Sequence, residues 1–396
     1  MTPTPVTPFE KRQFEKKQLA ERRRRRTRRR LTITLIVSLC GVLLVSAAVL
    51  LLKTVDWEVV FGNKDPRIGM ITDATEPFGP DPAVYFDPWS SKTEYLTVSG
   101  SAVHTGECVL VNADHAFRFD TADEPVRVFD HKSKTYSTRD NRIYLTLPTI
   151  EAFNGFMDAF YDEKDHADIM ISSAYRSYED QVSVWDEYME TRGEEYTKQY
   201  VSVPGYSEHH SGLAMDLAIY TGVISSLKNF GDYSWIYENA PEYGFIHRYT
   251  KEKTDITGIA AESWHFRYVT VPHALLISQQ GYCLEEYLEY IRIYTYKGTR
   301  AHVTSEKTGD SYEIYFVYAE TEPDEEKPLT DADGNITGYE PLLDEYGDPC
   351  FKKTQQIPIP RGTDPDTVSV LGNNMDGFLV TIRTPGEKPA ENDPAE

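Results

Sequence analysis

The chain is predicted to be an α+β protein, with a small, mostly antiparallel sheet carrying packed helices. A small all-β region follows it and one membrane-spanning helix precedes it. Three observations carry this prediction. Leu213 to Ile219 alternates, with Leu213, Met215, Leu217 and Ile219 on one face and Ala214, Asp216 and Ala218 on the other, as in a strand. Leu147 to Phe160 spaces Ile150, Phe153, Phe156, Met157 and Phe160 at helical intervals. After residue 292 the texture changes to short apolar runs between acidic, turn-rich segments.

The N-terminal element comes first. Leu31 to Leu52 carries no charge and is long enough to cross a hydrocarbon core of roughly 30 Å. Arg22 to Arg26 and Arg28 to Arg30 precede it. The positive-inside bias keeps such a cluster in the cytoplasm. Residues 1–30 are therefore expected to be a basic cytoplasmic segment, 31–52 a membrane helix, and the rest extracytoplasmic. A cleaved signal peptide has an apolar region of roughly 7–15 residues, whereas this run continues through Ala48 to Leu52. Leu39 before Cys40 fits a lipid-attachment site poorly.

Charge divides at the same place. Residues 1–52 hold 12 Lys and Arg against 3 Asp and Glu, a net of +9. With −22 for the whole chain, −31 falls on residues 53–396. So acidic a surface excludes nucleic acid as its partner. Beside a spanning helix, the arginine run is a topology signal that also touches anionic lipid.

Residues 53–95 are rich in Pro, Gly and Asp and read as a stalk. A compact domain is expected over 96–292. Cys108 to Val111 reads as a short strand, and Ala167 to Ser172 as a buried strand leading into Tyr175-Arg176-Ser177. Tyr178 to Thr191 reads as a helix stopped by Gly193, Trp264 to Val269 as a strand, and Leu284 to Ile291 as a closing helix. The β-rich region, 293–383, has strand candidates at 293–295, 312–317, 356–359, 368–371 and 378–382. Asp331 to Asn335 superficially matches a calcium loop, but its glycine sits at the fourth position rather than the sixth, so a hairpin turn is expected. Residues 384–396 have the composition of a disordered tail. Cys108, Cys283 and Cys350 form no CxxC pair and read as small buried apolar residues.

The chemistry lies in three stretches: Ser173 to Ser177, Ser207 to Asp216 and Glu262 to His265. Two histidines, an aspartate, an unpaired glutamate and an arginine suffice for metal-assisted hydrolysis of an amide. A catalytic zinc takes three protein ligands and keeps one position open for water. With Asp216 on its strand, His209 belongs in the preceding loop, flanked by Gly205 and Gly212, because an odd separation on one strand would set the two on opposite faces. His210 is an equally placed alternative ligand at this point. Glu262 and His265 share a face only if the backbone bends between them. His265 then reads as a ligand and Glu262 as the group that relays the water's proton. Arg176, emerging from a buried strand, suits an oxyanion or a substrate carboxylate. Gln181, five residues on, reads either as a hydrogen-bond partner for substrate or as an ordinary helix-face glutamine.

The ordered set Tyr175-Arg176-Ser177, Ser207-x-His209-x-x-Gly212-x-Ala214-x-Asp216 and Glu262-x-Trp264-His265 resembles the VanY-type D-alanyl-D-alanine carboxypeptidases. That zinc peptidase family also holds vancomycin-resistance D,D-dipeptidases and some L,D-carboxypeptidases. Leu110-Val111-Asn112, Glu238 to Phe245 and Leu284 to Leu288 match as well, so the resemblance covers about residues 105–290. It implies zinc ligands His209, Asp216 and His265, a general base at Glu262, and a substrate or transition-state arginine at Arg176. Ser207 and Trp264 would line the pocket. His210 stands where glutamine is common, Ala174 where glycine is common, and Ser263 where proline is common. The β region after the domain accompanies some VanY-like proteins of Gram-positive bacteria.

The expected function is therefore that of a membrane-anchored zinc D,D-carboxypeptidase acting on peptidoglycan stem peptides. An L,D-carboxypeptidase acting on tetrapeptide stems is the nearest alternative, sharing the zinc chemistry and differing only in pocket shape. A non-catalytic wall-binding module is the reading from another class, and the retention of Glu262 and all three ligands disfavours it.

Overall fold

Strand and helix periods alternate along the chain and give a mixed α+β architecture. The computed structural model describes residues 91–120, 124–321, 326–330, 336–341, 343–344 and 350–386. In chain order these form β1 (Thr93–Ser99), β2 (Ser137–Thr138), α1 (Leu147–Lys164), β3 (Ile169–Ser173), α2 (Tyr178–Thr191) and α3 (Glu194–Tyr200). Then come β4 (Ala214–Tyr220), β5 (Ile224–Ser226), β6 (Phe245–Tyr249), β7 (Glu262–Tyr268), α4 (Val271–Gln280) and α5 (Leu284–Tyr290). Further strands, beyond some shorter elements, are β8 (Ala301–Thr304), β9 (Ser311–Tyr318), β10 (Glu326–Thr330), β11 (Ile336–Pro341), β12 (Thr354–Pro360), β13 (Val368–Gly372) and β14 (Gly377–Thr384). The expected cytoplasmic segment 1–30, the span 31–52, most of the stalk and the tail from 387 lie outside the described residues. Among the described residues no helix is long and apolar enough to cross a membrane.

The sheet that matters here has the order β2-β3-β4-β7-β6, with β5 folding back onto the end of β4. Only β2 and β3 run parallel; every other pairing is antiparallel. The helical face read from the sequence explains one side of it. Ile150, Phe153, Phe156, Met157 and Phe160 of α1 are all buried against Ile169, Ile171, Met215, Leu217, Phe245 and Phe266 of the sheet. Phe156 stacks on Tyr243 at 4.9 Å and on Phe245 at 5.8 Å between ring centroids, offset contacts that add to its area burial. Pro148 in the first turn of α1 and Asp165 in a left-handed conformation at its end set the helix limits.

On the other side, α4 and α5 lie between the site-bearing sheet and a second sheet of order β8-β9-β14-β13. Leu276, Leu284, Tyr287 and Leu288 share one core with Ile246 and with Val303, Ile314, Leu371 and Leu379. The apolar core thus runs unbroken across residue 292. β1 joins it by pairing with β12 along its length, from Thr93 opposite Pro360 to Ser99 opposite Thr354.

Several expectations need correction. Cys108 to Val111 is buried but is not a strand. Its backbone is instead satisfied by Asn373 O, by Asn374 Nδ2 and by Arg267 Nη2. Ile293 ends a 3-10 turn rather than opening a strand. Thr93 to Tyr95, expected in the stalk, already belong to β1. Gly193 follows α2 as expected but also leads straight into α3, which the sequence reading missed. Residues 331–335 are outside the described set, and β10 and β11 on either side of them pair antiparallel.

Replacing Phe156 with alanine is expected to lower the unfolding free energy by about 3–5 kcal/mol. Replacing Phe230, which is 81% exposed, should change it by less than about 0.5 kcal/mol. Chemical denaturation of both variants, followed by tryptophan fluorescence, checks the pair.

Candidate metal centre

The centre starts from a cross-strand pair. In the antiparallel register of β4 and β7, Asp216 stands directly opposite His265. Ser173 of β3 stands opposite Asp216 on its other flank, after a bulge at Ser172. β7 is itself irregular. From Phe266 to Glu262 it advances four residues while β6 advances two, from His247 to Tyr249. The extra residues re-aim the strand, and this is the bend that Glu262 and His265 need to face one cavity.

His209 comes from a 3-10 turn, Glu208–Ser211, begun by Ser207, whose hydroxyl accepts from His209 N–H at 3.3 Å. Gly212 ends the turn at φ +67°, and a Cβ there would press within 3.3 Å of Thr146 N. The turn is laced to the end of β3. Arg176 N–H donates to His209 O at 3.1 Å, and His209 Nδ1–H donates to Ala174 O at 2.6 Å. That second bond leaves Nε2 with its lone pair turned toward Asp216 Oδ2, 3.5 Å away. The geometry favours His209 over His210 as the donor. Both ring nitrogens of His210 are engaged elsewhere: Nδ1–H donates to Arg176 O at 2.7 Å and Nε2 accepts from Gly205 N–H at 3.0 Å. Its ring sits among Phe117, Phe119 and Tyr178.

One donor atom from each of His209, Asp216 and His265 lies within 4.8 Å of the others. Tetrahedral zinc with bonds near 2.0–2.1 Å sets its ligands about 3.3–3.5 Å apart. The observed separations are 3.5 Å from His209 Nε2 to Asp216 Oδ2 and 3.0 Å from His265 Nδ1 to Asp216 Oδ1. Two neutral-capable imidazoles and a carboxylate make a borderline donor set that suits zinc. Burial alone would lower His265, but its bonds to Asp216 and Glu208 hold it up at about 9. Burial, aided by the Arg176 guanidinium, presses His209 down to about 3. Asp216 is held well below the usual carboxylate range, because His209, His265 and Arg176 outweigh its burial.

Glu262 is 8% exposed, and its Oε2 stands 3.7 Å from His265 Nδ1, beyond hydrogen-bond reach. Burial, reinforced by Asp216 and Glu208, pushes its carboxyl up to about 7 despite the opposing pull of His265 and Arg176. The Arg176 guanidinium reaches Asp216 Oδ2 at 3.4 Å, Ser173 Oγ at 3.1 Å and Gln181 Oε1 at 3.0 Å. Ser207, Trp264, Glu262 and Arg176 line a cavity of about 230 Å³ together with the three donors, as expected. Gln181 departs from expectation. It is fully buried, with Oε1 on Arg176 and Nε2 on Ser202 O, so it braces the arginine rather than facing the cavity.

Glu208 is the group the sequence reading missed. It is 1% exposed, and its carboxylate meets Arg248 Nε at 2.8 Å, Arg267 Nη1 at 3.1 Å and His265 Nε2 at 3.2 Å. Burial would raise its pKa, but the two guanidiniums hold it well below the ordinary range. Its position beside His209 in the sequence was the available signal. Arg248 and Arg267 on neighbouring strands gave none.

Comparison with known proteins follows the same lines. The family model for VanY, D-alanyl-D-alanine carboxypeptidase, matches residues 142–271. The bifunctional D-Ala-D-Ala dipeptidase and carboxypeptidase VanXYC of Enterococcus gallinarum is 36% identical over 38% of this chain and 81% of its own length. A D-alanyl-D-alanine carboxypeptidase of Enterococcus faecium is 29% identical over 74% of this chain and 80% of its own length. Among solved structures, the vancomycin-resistance D,D-dipeptidase VanXYg, in complex with a D-Ala-D-Ala phosphinate analogue, superimposes with a TM-score of 0.57 at 26% identity. That match covers 74% of this chain and 99% of the other.

Elemental analysis after dialysis against zinc-free buffer tests the ligand choice. His210→Gln is expected to retain zinc at the wild-type ratio, and His209→Ala to lose it.

Proposed function

The chain belongs to the VanY family of D-alanyl-D-alanine carboxypeptidases, which are zinc metallopeptidases, and from that premise we propose its particular task. It is a D,D-carboxypeptidase that removes the terminal D-alanine from peptidoglycan stem peptides outside the cytoplasm, held at the cell membrane through residues 31–52. The observation that carries this reading is the convergence of His209, Asp216 and His265 on one point, with Glu262 beside them and not bonded to them.

The residues divide the work. His209 Nε2, Asp216 and His265 Nδ1 would hold the zinc. When bound, it lowers the pKa of a water toward neutrality and polarises the scissile carbonyl. Glu262 takes a proton from the attacking water and delivers it to the leaving amine. A carboxyl raised to about 7 is suited to both transfers. Arg176, fixed by Ser173 and Gln181, directs charge-assisted donors at the oxyanion or at the terminal carboxylate of the substrate. A cavity of about 230 Å³ is smaller than the roughly 300–1,000 Å³ of drug-sized pockets. That size favours a chain end bearing two small side chains. The uncharged run Leu31 to Leu52, with its arginines before it, supports the anchored and exported placement. A substrate fixed in the envelope calls for such a tether.

Full-length Glu262→Gln, solubilised in detergent, is expected to keep its zinc. Its turnover of a pentapeptide ending in D-Ala-D-Ala should be about 10²–10⁴-fold slower. Wild-type turnover by this variant would remove Glu262 from the reaction.

A further inference from the structure

His265 has two ring nitrogens, and only one can face the metal. Its Nδ1 lies 3.0 Å from Asp216 Oδ1, on the cavity side. Its Nε2 lies 3.2 Å from Glu208 Oε2, on the buried side. Glu208 cannot turn away from it. Oε1 of the same carboxylate is held by Arg248 Nε at 2.8 Å and by Arg267 Nη1 at 3.1 Å. Both arginines are themselves immobilised. Arg248 grips Glu285 with two parallel bonds of 2.9 and 2.7 Å, and Asn112 Nδ2 donates to the same carboxylate at 3.1 Å. Arg267 donates through Nη2 to the carbonyls of Glu107 at 2.8 Å and Val109 at 2.9 Å. The two arginines and two glutamates form a charge-neutral set inside the protein, and both arginine side chains are fully buried.

We propose that Glu208 is a positioning residue for the metal centre. It fixes the proton of His265 on Nε2, so that the lone pair of Nδ1 is presented to zinc, and the Arg248 and Arg267 guanidiniums hold it in place to do so. The proposal rests on the reading of His265 as a zinc ligand. A ligating histidine that donates its second N–H to a carboxylate gains basicity and a fixed orientation, and loss of such a partner typically costs 10–100-fold in metal affinity. Glu285 supplies the contrast, because it belongs to the same buried set without touching His265.

The test measures zinc affinity of the full-length, detergent-solubilised protein by competition with a chelating dye. Wild type, Glu208→Gln and Glu285→Gln are compared, each checked for folding by circular dichroism. Glu208→Gln is expected to bind zinc about 10–100-fold more weakly, and Glu285→Gln within about threefold of wild type. Equal affinities in all three, or equal losses in the two variants, would overturn the proposal, since a purely structural role treats both glutamates alike. Glu208→Gln leaves two buried guanidiniums short of a partner. If it does not fold, Glu208→Asp keeps the charge but withdraws the carboxylate, and weakened zinc binding is again expected. The wild type gives a second readout. Nitrogen-15 spectra of the zinc-loaded, histidine-labelled protein should show His265 protonated at Nε2, and protonation at Nδ1 would refute the assignment. Activity is not among the readouts. A zinc-binding protein that leaves D-Ala-D-Ala peptides intact would end the functional reading and leave these results standing.

Discussion

The pairing of Asp216 with His265 across β4 and β7 is the constraint on which the site depends. In an antiparallel sheet, partners directly opposite hold their Cβ atoms about 4.5–5.5 Å apart, close enough for two side chains to share one cation. A slip of one residue in either strand would send its member of the pair to the other face of the sheet and separate the two. Register is therefore the first requirement of the chemistry, and the packing enforces it. Met215 and Leu217, on the strand that carries Asp216, are locked beneath Phe153, Phe156 and Phe266. The remaining groups are then brought to this pair by irregularities. The bulge in β7 swings Glu262 to the cavity, the bulge in β3 brings Ser173 opposite Asp216, and the 3-10 turn lifts His209 over them.

Charge burial is the second theme. Glu208, Arg248 and Arg267 are among the most enclosed side chains of the protein, and buried charges persist only where they are paired and hydrogen-bonded. Here every member of the set has partners, and the set runs from the metal centre to Glu285 on α5. That helix packs its Leu284, Tyr287 and Leu288 into the core shared with the second sheet. The C-terminal strands thus back the helix that supports the buried charges behind His265.

The sequence was informative wherever a period or a motif was local. The alternation of Leu213 to Ile219 corresponds to β4 within one residue, and the helical spacing of Phe153, Phe156 and Phe160 lies within α1, which ends at Lys164 rather than Phe160. His209, Asp216, Glu262 and His265 do meet, because their spacing relative to the strands already restricted where they could go. What stayed hidden depends on distant partners. Thr93 to Tyr95 look like stalk until Pro358 to Pro360 are there to pair with them. Cys108 to Val111 looks like a strand because it is apolar, but Asn373, Asn374 and Arg267 supply the hydrogen bonds a ladder would give. Gln181 has the composition of a substrate contact, and only the position of Ser202 O shows that its amide is spent inside. Glu208 is adjacent to a ligand and was overlooked because its arginines lie about 40 and 60 residues further on.

Mass spectrometry of the products tests the central claim most directly. The full-length protein would be incubated with a stem pentapeptide ending in D-Ala-D-Ala and, separately, with the corresponding tetrapeptide. Each reaction would be run with and without a zinc chelator. The account predicts loss of a single alanine from the pentapeptide alone, abolished by the chelator and restored by added zinc. Cleavage that survives chelation, loss from the tetrapeptide instead, or no cleavage by protein shown to contain zinc would contradict it.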